Sequence, residues 1–548
     1  MTATDRVATD GAATENVAGP VAGGSGRRPG SGSLFGRDLI YVVVWSMQLV
    51  SAVVVSPVLA YVLGPAEFGS LATAIALYQL LIVVAVVGLD RAITLQLAED
   101  GHDRGARKLL AYGIGLAVAV GAIALVTAPL WGPVAGLADQ PMLTVAAVLW
   151  TAPGAVVMMA MALLMAQDRL LAFAAVSLLS ALGGQIFGIG LLLTVSADAT
   201  TYAWGGVVSQ SAAMIVGLIL ARPLFRGGID RVLLSRALKL GAPIMVSGLS
   251  VFVLNAGDRI ILQRELGAVE VGRYQVAYTV GSVVILLLVS TSQAWTPRIA
   301  AVRDVVARTE LIGRSRDELY RLLIPMLLGL TLGAPVALRI VAPASFEPDG
   351  LLVVVYVVAL SALPVTALGA TNRELLTSRR TRPLAVSAIC AAVLNVALNF
   401  MLIPFLGILG AAVATVFAFG VQAVLQRVSL PAGHRLPATP RGLLAGVAVA
   451  VVVAGVSIAA PQTPAWNIVR LLLALACVPW FLVALRSARR IDAPARRPAH
   501  HPAGVGGTAA AQAFTGRPVP GPVPVRGPWS VGGRSRGRHR SHRKASTR

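Results

Sequence analysis

Residues 61–77 read YVLGPAEFGSLATAIAL, and residues 264–280 read RELGAVEVGRYQVAYTV. Shifted by 203 positions, they share Leu63/Leu266, Gly64/Gly267, Glu67/Glu270, Gly69/Gly272 and Ala74/Ala277. The common pattern is LGxxExG. Each copy follows one long apolar run and leads into another. Its glycines either supply positive φ for tight turns or simply punctuate a loop, and both readings stay open at this stage. The same pattern at the same place in two halves points to a duplicated unit.

The surrounding chain is apolar enough to live in lipid. Its 548 residues are 56% hydrophobic and 13% charged, with mean hydropathy +0.77. A soluble domain carries about 25% charged residues, so an ordinary globular enzyme is excluded. A helix needs about 20 residues to cross the hydrocarbon. Fourteen such runs occur, at about 38–62, 69–90, 109–130, 142–166, 170–194, 201–221, 240–263, 274–296, 320–342, 350–370, 383–404, 408–426, 442–460 and 467–485. Continuous runs such as LIVVAVVGL call for helices rather than the alternating strands of a barrel.

Six spans separate the two LGxxExG copies. Six is even, so both units keep one orientation, and the repeat is parallel about an axis along the membrane normal. The expected fold is an all-α polytopic membrane protein of about 14 transmembrane helices. It comprises a first six-helix lobe (36–222), a cytoplasmic linker (223–239), a second lobe (240–430) and an appended helix pair (431–487). Residues 1–35 read as a disordered cytoplasmic leader rather than a cleaved signal peptide, because a second span follows the first at once.

Charge supports the count. With the N-terminus in the cytoplasm, the even-numbered connections hold 23 Lys/Arg, while the outward ones hold only Arg264, Arg273 and Arg339. This asymmetry is the positive-inside pattern of an inner (cytoplasmic) membrane protein with both termini cytoplasmic. Of the net charge of +22, residues 486–548 contribute +13. The segment 488–548, rich in Pro, Gly and Arg, reads as a disordered basic tail that binds anionic lipids. It lacks the aromatic interleaving of a nucleic-acid binder.

No GxxxxGK[ST], HExxH or GxSxG occurs. His102 and His434 lie in connections, and the other four histidines lie in the tail. Cys390 and Cys477 stand apart in apolar stretches. Neither a cofactor, a metal nor membrane-embedded catalysis is expected, and the duplicated bundle favours a transporter over an enzyme.

Polar residues inside the spans are the candidate site. In span seven Asn255, Asp258, Arg259 and Gln263 recur at helical spacing. An arginine at mid-bilayer is costly, so it either snorkels within a structural bond network or lines a cavity for an anionic group. Span eight adds Tyr274, Tyr278 and Gln293, with Arg273 at its mouth. Its aromatics suit either sugar stacking or the bilayer interface. Asn395 and Asn399 in span eleven serve as helix–helix glue or line the same cavity. Gln48 and Gln185 are weaker first-half counterparts. Asp90 and Asp258 are the acids to consider for ion coupling; Asp90, beside Arg91, also suits an interface anchor.

The chain resembles the polysaccharide flippase family of the multidrug/oligosaccharidyl-lipid/polysaccharide exporter superfamily. The resemblance rests on LGPAEFG at 63–69, on 238–284 from LKLGAPIMVSG to YTVGSVV, on QAWTPRI at 293–299 and on NVALNFMLIPFLGILGAAVATVFA at 395–418. It covers about residues 36–485. It implies a monomeric flippase that moves polyprenyl-pyrophosphate-linked oligosaccharide repeat units to the outer leaflet for O-antigen, capsule or exopolysaccharide assembly. Its implied partners are the lipid-linked substrate and the polymerase or glycosyltransferases of the same pathway. The family's basic cavity residues would fall on Arg259 and Arg273. A lipid II flippase and a drug/cation antiporter are the alternatives within the superfamily. A membrane glycosyltransferase or polymerase is the alternative outside it.

Overall fold

The computed structural model describes residues 38–488 apart from 227 and 294; residues 38–54 and Pro297 are described as backbone alone. The expected leader, the tail beyond residue 488 and the side chain of Gln48 lie outside the described residues. Every regular element among the described residues is helical.

The two LGxxExG copies adopt one conformation. Gly64 has φ 70°, ψ 177°, and Gly267 has φ 85°, ψ 176°, a region essentially reserved for glycine. Gly64 breaks the helix Asp38–Val86, and Gly267 separates Arg231–Leu266 from Ala268–Gly281. A Cβ at either glycine would meet nothing within 4 Å, so the requirement is the backbone angle alone. Gly267→Ala is expected to cost about 1–3 kcal/mol of strain, read as a lower melting midpoint in detergent. Gly115→Ala, in a helix with equal free space, should hold or raise that midpoint, because alanine is the better helix former.

Thirteen helices among the described residues are long and apolar enough to cross a membrane. The first of these is counted from Val55 and runs past the Gly64 break. Dividing it there leaves the segment from Asp38 to Leu63 as a crossing of its own, so the expected fourteen are present. Span eight is built from Ala268–Gly281 and Val283–Gln293 and continues as Thr296–Ala301. The last pair, Arg441–Ile458 and Pro464–Ala488, packs on the long helix Val305–Val341. Its outer surface is exposed aliphatic side chains such as Val452, Val456, Leu472 and Leu475, as contact with lipid tails requires. The chain is a multi-pass membrane protein.

The buried core is shared at one end of the bundle and divided at the other. At the end that carries Gly64 and Gly267 (the turn end), a single cluster joins Leu63, Leu71, Leu143 and Tyr202 of the first half to Leu262, Tyr274, Val355 and Ile403 of the second. At the opposite, arginine-rich end (the basic end), one cluster around Leu109, Met159 and Val176 and another around Ile312, Leu323 and Leu375 are separate. The halves are therefore two lobes held together at the turn end.

Glycine makes the closest crossing between them. A Cβ on Gly69 would stand 1.8 Å from the Ala268 carbonyl oxygen, and one on Gly272 would stand 2.1 Å from that of Pro65. Pro65 and Ala268 are themselves related by the 203-residue shift, so the contact is reciprocal, as a twofold-related pair requires. Side chains complete the closure. Tyr61 donates to the Arg339 carbonyl at 3.1 Å, Thr73 to Gln263 Oε1 at 3.1 Å, and Gln263 Nε2 to the Gly136 carbonyl at 3.1 Å. Phe68 meets Phe346 edge-on at 5.9 Å. At the basic end a Cβ on Gly241 of span seven would lie 2.0 Å from the Val87 carbonyl oxygen at the end of span two, and Arg236 pairs with Glu99 at 2.9 Å.

Candidate functional site

Just below the turn-end closure, a cavity of about 560 Å³ lies between the lobes. Ser56 of span one, Gln79 of span two, Gln185 of span five and Tyr202 of span six line it from the first lobe. Asn255, Arg259, Gln275 and Tyr278 line it from the second. A turn of π-helix shapes one wall. Residues Val253–Gly257 form it within span seven, and such single turns of wider helix re-aim neighbouring side chains. A second π turn, Leu179–Gly183, precedes Gln185 in span five.

Arg259 is the centre of the polar wall. Its Nε donates to Gln275 Oε1 at 3.1 Å, and its Nη1 donates to the Asn255 carbonyl and to Asp258 Oδ1, the latter at 2.8 Å. Its guanidinium carbon lies 4.2 Å from the Tyr278 ring centroid and 5.6 Å from that of Tyr274. The Tyr274 hydroxyl donates to the other Asp258 oxygen. Arg259, Asp258 and Tyr274 are all buried, at 5%, 2% and 0% exposure. A buried charge this deep persists only when paired and hydrogen-bonded, and both conditions are met.

The electrostatics differ from expectation. Arg259 is the only charged residue lining the cavity among the described residues, and Asp258 neutralises it. Neighbouring residues diverge by about 100° around a helix, yet the flexible arginine stem folds back far enough for the pair to close. The result is an amide-rich, near-neutral cavity rather than a cationic one. Gln185 Oε1 and Ser56 Oγ are buried without a hydrogen-bond partner in the protein. They are acceptors that a ligand hydroxyl or a water would satisfy.

The other candidates fall elsewhere. Gln263 is a strut across the turn-end closure. Arg273 is held at the turn end by Glu270 at 2.8 Å and Glu347 at 3.0 Å, outside the cavity. Gln293 is exposed near the basic end and accepts from Thr296 at 3.3 Å. Asn399 Nδ2 donates to Asn395 Oδ1 at 3.0 Å, and Asn395 reaches Thr415 at 3.4 Å. These two asparagines join span eleven to span twelve, which is the glue reading. Asp258 has both oxygens occupied and braces Arg259. Asp90, 3.6 Å from Arg91, lies outside the cavity. Tyr274 and Trp295 are both covered by protein, at 0% and 4% exposure. The repeat glutamates both brace the turn end: Glu67 accepts the Ala199 amide at 2.8 Å, and Glu270 holds Arg273.

Gln275 and Gln79 were missed from sequence, although for Gln275 a signal existed. Three pairs of lining residues are related by the 203-residue shift: Ser56/Arg259, Ala72/Gln275 and Ile75/Tyr278. Carrying the repeat register past the LGxxExG segment finds these three positions on each wall. The second lobe supplies the large polar member of each pair, and the first supplies a small or apolar one.

A family model described as "Polysaccharide biosynthesis protein" matches residues 39–302. Across that stretch, just under half of the chain, the sequence is similar to this family. The matched region contains both LGxxExG copies and every residue that lines the cavity. Among solved structures, the lipid II flippase MurJ in an inward closed conformation superposes with a TM-score of 0.65 at 14% identity, covering 82% of this chain and 100% of that one. An inward-facing multidrug resistance MATE family transporter of the MOP superfamily gives 0.52 at 14% identity, covering 76% and 99%. These likenesses show a shared fold. No curated protein matches the sequence. The chain thus shares its helical fold with these two transporters.

Proposed function

We propose that this protein is a flippase that carries a polyprenyl-pyrophosphate-linked oligosaccharide from the cytoplasmic to the outer leaflet by alternating access. The observation that carries the reading is the amide-rich cavity around Arg259, between two lobes whose largest shared core lies at the turn end. Sugar hydroxyls both donate and accept. Asn255, Gln79, Gln185 and Gln275 do the same, and Tyr278 and Tyr202 offer rings to the apolar faces of a sugar. The polyprenyl chain stays in lipid while the head group crosses in water. Dragging that head through hydrocarbon would cost many kcal/mol.

In this reading the basic end faces the cytoplasm and the turn end faces outward, as the positive-inside pattern favours. The conformation described is closed on the outer side. Rocking of the lobes would break the Gly69/Gly272 crossing and expose the same cavity to the outside. No covalent bond changes, and the drive is a substrate gradient, downstream consumption or a co-moving ion. Drug/cation antiport is disfavoured because the acid nearest the cavity, Asp258, is already held by Arg259 and Tyr274.

The test is transbilayer movement of fluorescent polyprenyl-pyrophosphate oligosaccharide in proteoliposomes, with lipid II and a cationic dye as competitors. Movement without sugar release or extension is expected, with neither competitor matching the oligosaccharide. Release or extension would indicate a transferase. Preferred movement of lipid II would assign the other flippase activity.

A further inference from the structure

A second cavity, of about 580 Å³, lies at the basic end of the first lobe, apart from the substrate site. Arg107, Arg169 and Arg222 line it, with Asp103 as the only carboxylate among the lining residues. Two of the arginines are aimed by one helix end. Arg107 Nε donates to the Arg222 carbonyl at 2.6 Å, and Arg169 Nη1 donates to the Leu220 carbonyl. Those carbonyls close the helix Ala199–Ala221. Each of these bonds uses one of the five donors of a guanidinium. The rest of Arg107 meets Asp103 only at 3.7 Å.

The third arginine is held at a backbone cost. Arg222 has φ 53°, ψ 66°, where glycine is the favoured residue. Asp168, on the loop that carries Arg169, also has positive φ, at 58°. Such conformations persist where function offsets their strain. Asp103 offsets one of the three guanidinia, so the lining residues keep a net positive charge that suits an anion. Ile219 and Leu171, which adjoin the lining residues Leu220 and Arg169, are largely exposed aliphatic side chains. The cavity therefore opens beside a lipid-facing surface.

We propose that this pocket binds the phosphate of an acidic membrane lipid, with the acyl chains lying along Ile219 and Leu171. A basic residue near an anionic headgroup contributes about a fivefold gain in affinity. The assignment is independent of the transported substrate.

The test uses the full chain in detergent, titrated with phosphatidylglycerol and read by native mass spectrometry. Arg222→Gly removes a charge and also relieves the backbone, so its melting midpoint should hold or rise while lipid retention falls about fivefold. Arg169→Gln combined with it should lower retention about 25-fold. Arg314→Gln, at a basic-end arginine outside the pocket, should change nothing. Millimolar inorganic phosphate should not displace the lipid. Equal retention in Arg222→Gly and the native chain would overturn the proposal. So would an equal loss in Arg314→Gln, or displacement by phosphate, which would make this a site for soluble anions.

Discussion

Replacing Arg259 by leucine is expected to lower the rate of transbilayer movement by about a hundredfold, the factor that corresponds to ~3 kcal/mol for a charged hydrogen-bonding partner lost from a desolvated site. The same change leaves the Asp258 carboxylate buried with only the Tyr274 hydroxyl for support. Removing one member of a buried ion pair costs about 3–5 kcal/mol, so the melting midpoint should also fall. The double replacement Asp258→Leu/Arg259→Leu separates the two effects. Exchanging a whole buried pair for packed apolar residues is often neutral or stabilising. Stability should therefore return in the double variant while transport stays low. A double variant that moves substrate at the native rate would reduce Arg259 to a structural role. Measuring the midpoint and the single-turnover rate on the same preparations decides between the outcomes.

Gly272→Val should shift the conformational equilibrium away from closure at the turn end. The crossing at Gly69 and Gly272 leaves no room for a Cβ on either side, and the nearest neighbours are backbone atoms that cannot rotate away. Overpacking of this kind costs about 1–3 kcal/mol, and it falls only on the conformation in which the lobes touch. The population closed at the turn end should drop by roughly five- to 150-fold. The reporter is a cysteine at Ala72, a buried position on the cavity wall, in a chain whose Cys390 and Cys477 have been replaced. Labelling of that cysteine by an impermeant thiol reagent from the turn-end side should accelerate in Gly272→Val. Reciprocity predicts the same acceleration for Gly69→Val. Acceleration in one variant but not the other would contradict the twofold relation between the lobes.

The fold was legible because lipid imposes a simple code. Length and hydropathy place the spans, and LGxxExG reveals the duplication through two backbone demands that glycine alone meets. Gly64 and Gly267 meet a φ requirement; Gly69 and Gly272 meet a distance requirement. The site was legible only in part. Arg259 declared itself because a charge at mid-membrane needs a partner. Asn395 and Asn399 had the same helical spacing as Asn255 and Arg259, but spacing says only that residues share a face. Which neighbour that face meets is decided by tertiary packing, and theirs meets span twelve. Arg273 looked like a cavity mouth, yet Glu270 one turn back and Glu347 on a distant connection hold it at the turn end. The neutral character of the cavity was hidden too, since adjacent Asp258 and Arg259 converge only through the arginine's reach. In the first-lobe wall only Gln185 stood out in the sequence; Ser56, Ala72 and Ile75 emerge from the repeat register, and Gln79 from neither.

The central claim is that substrate crosses through a cavity whose turn end must open. Thr73 and Gln263 hydrogen-bond across that closure, and neither lines the cavity. Cysteines at these two positions, in a chain without Cys390 and Cys477, can be joined by a short, reducible bis-thiol linker. Transbilayer movement of a labelled polyprenyl-pyrophosphate oligosaccharide is then followed before and after reductant. Alternating access predicts that the linked protein stops transport and that reduction restores it to the rate of the unlinked variant. Undiminished movement with the turn end linked would show that the head group takes another route.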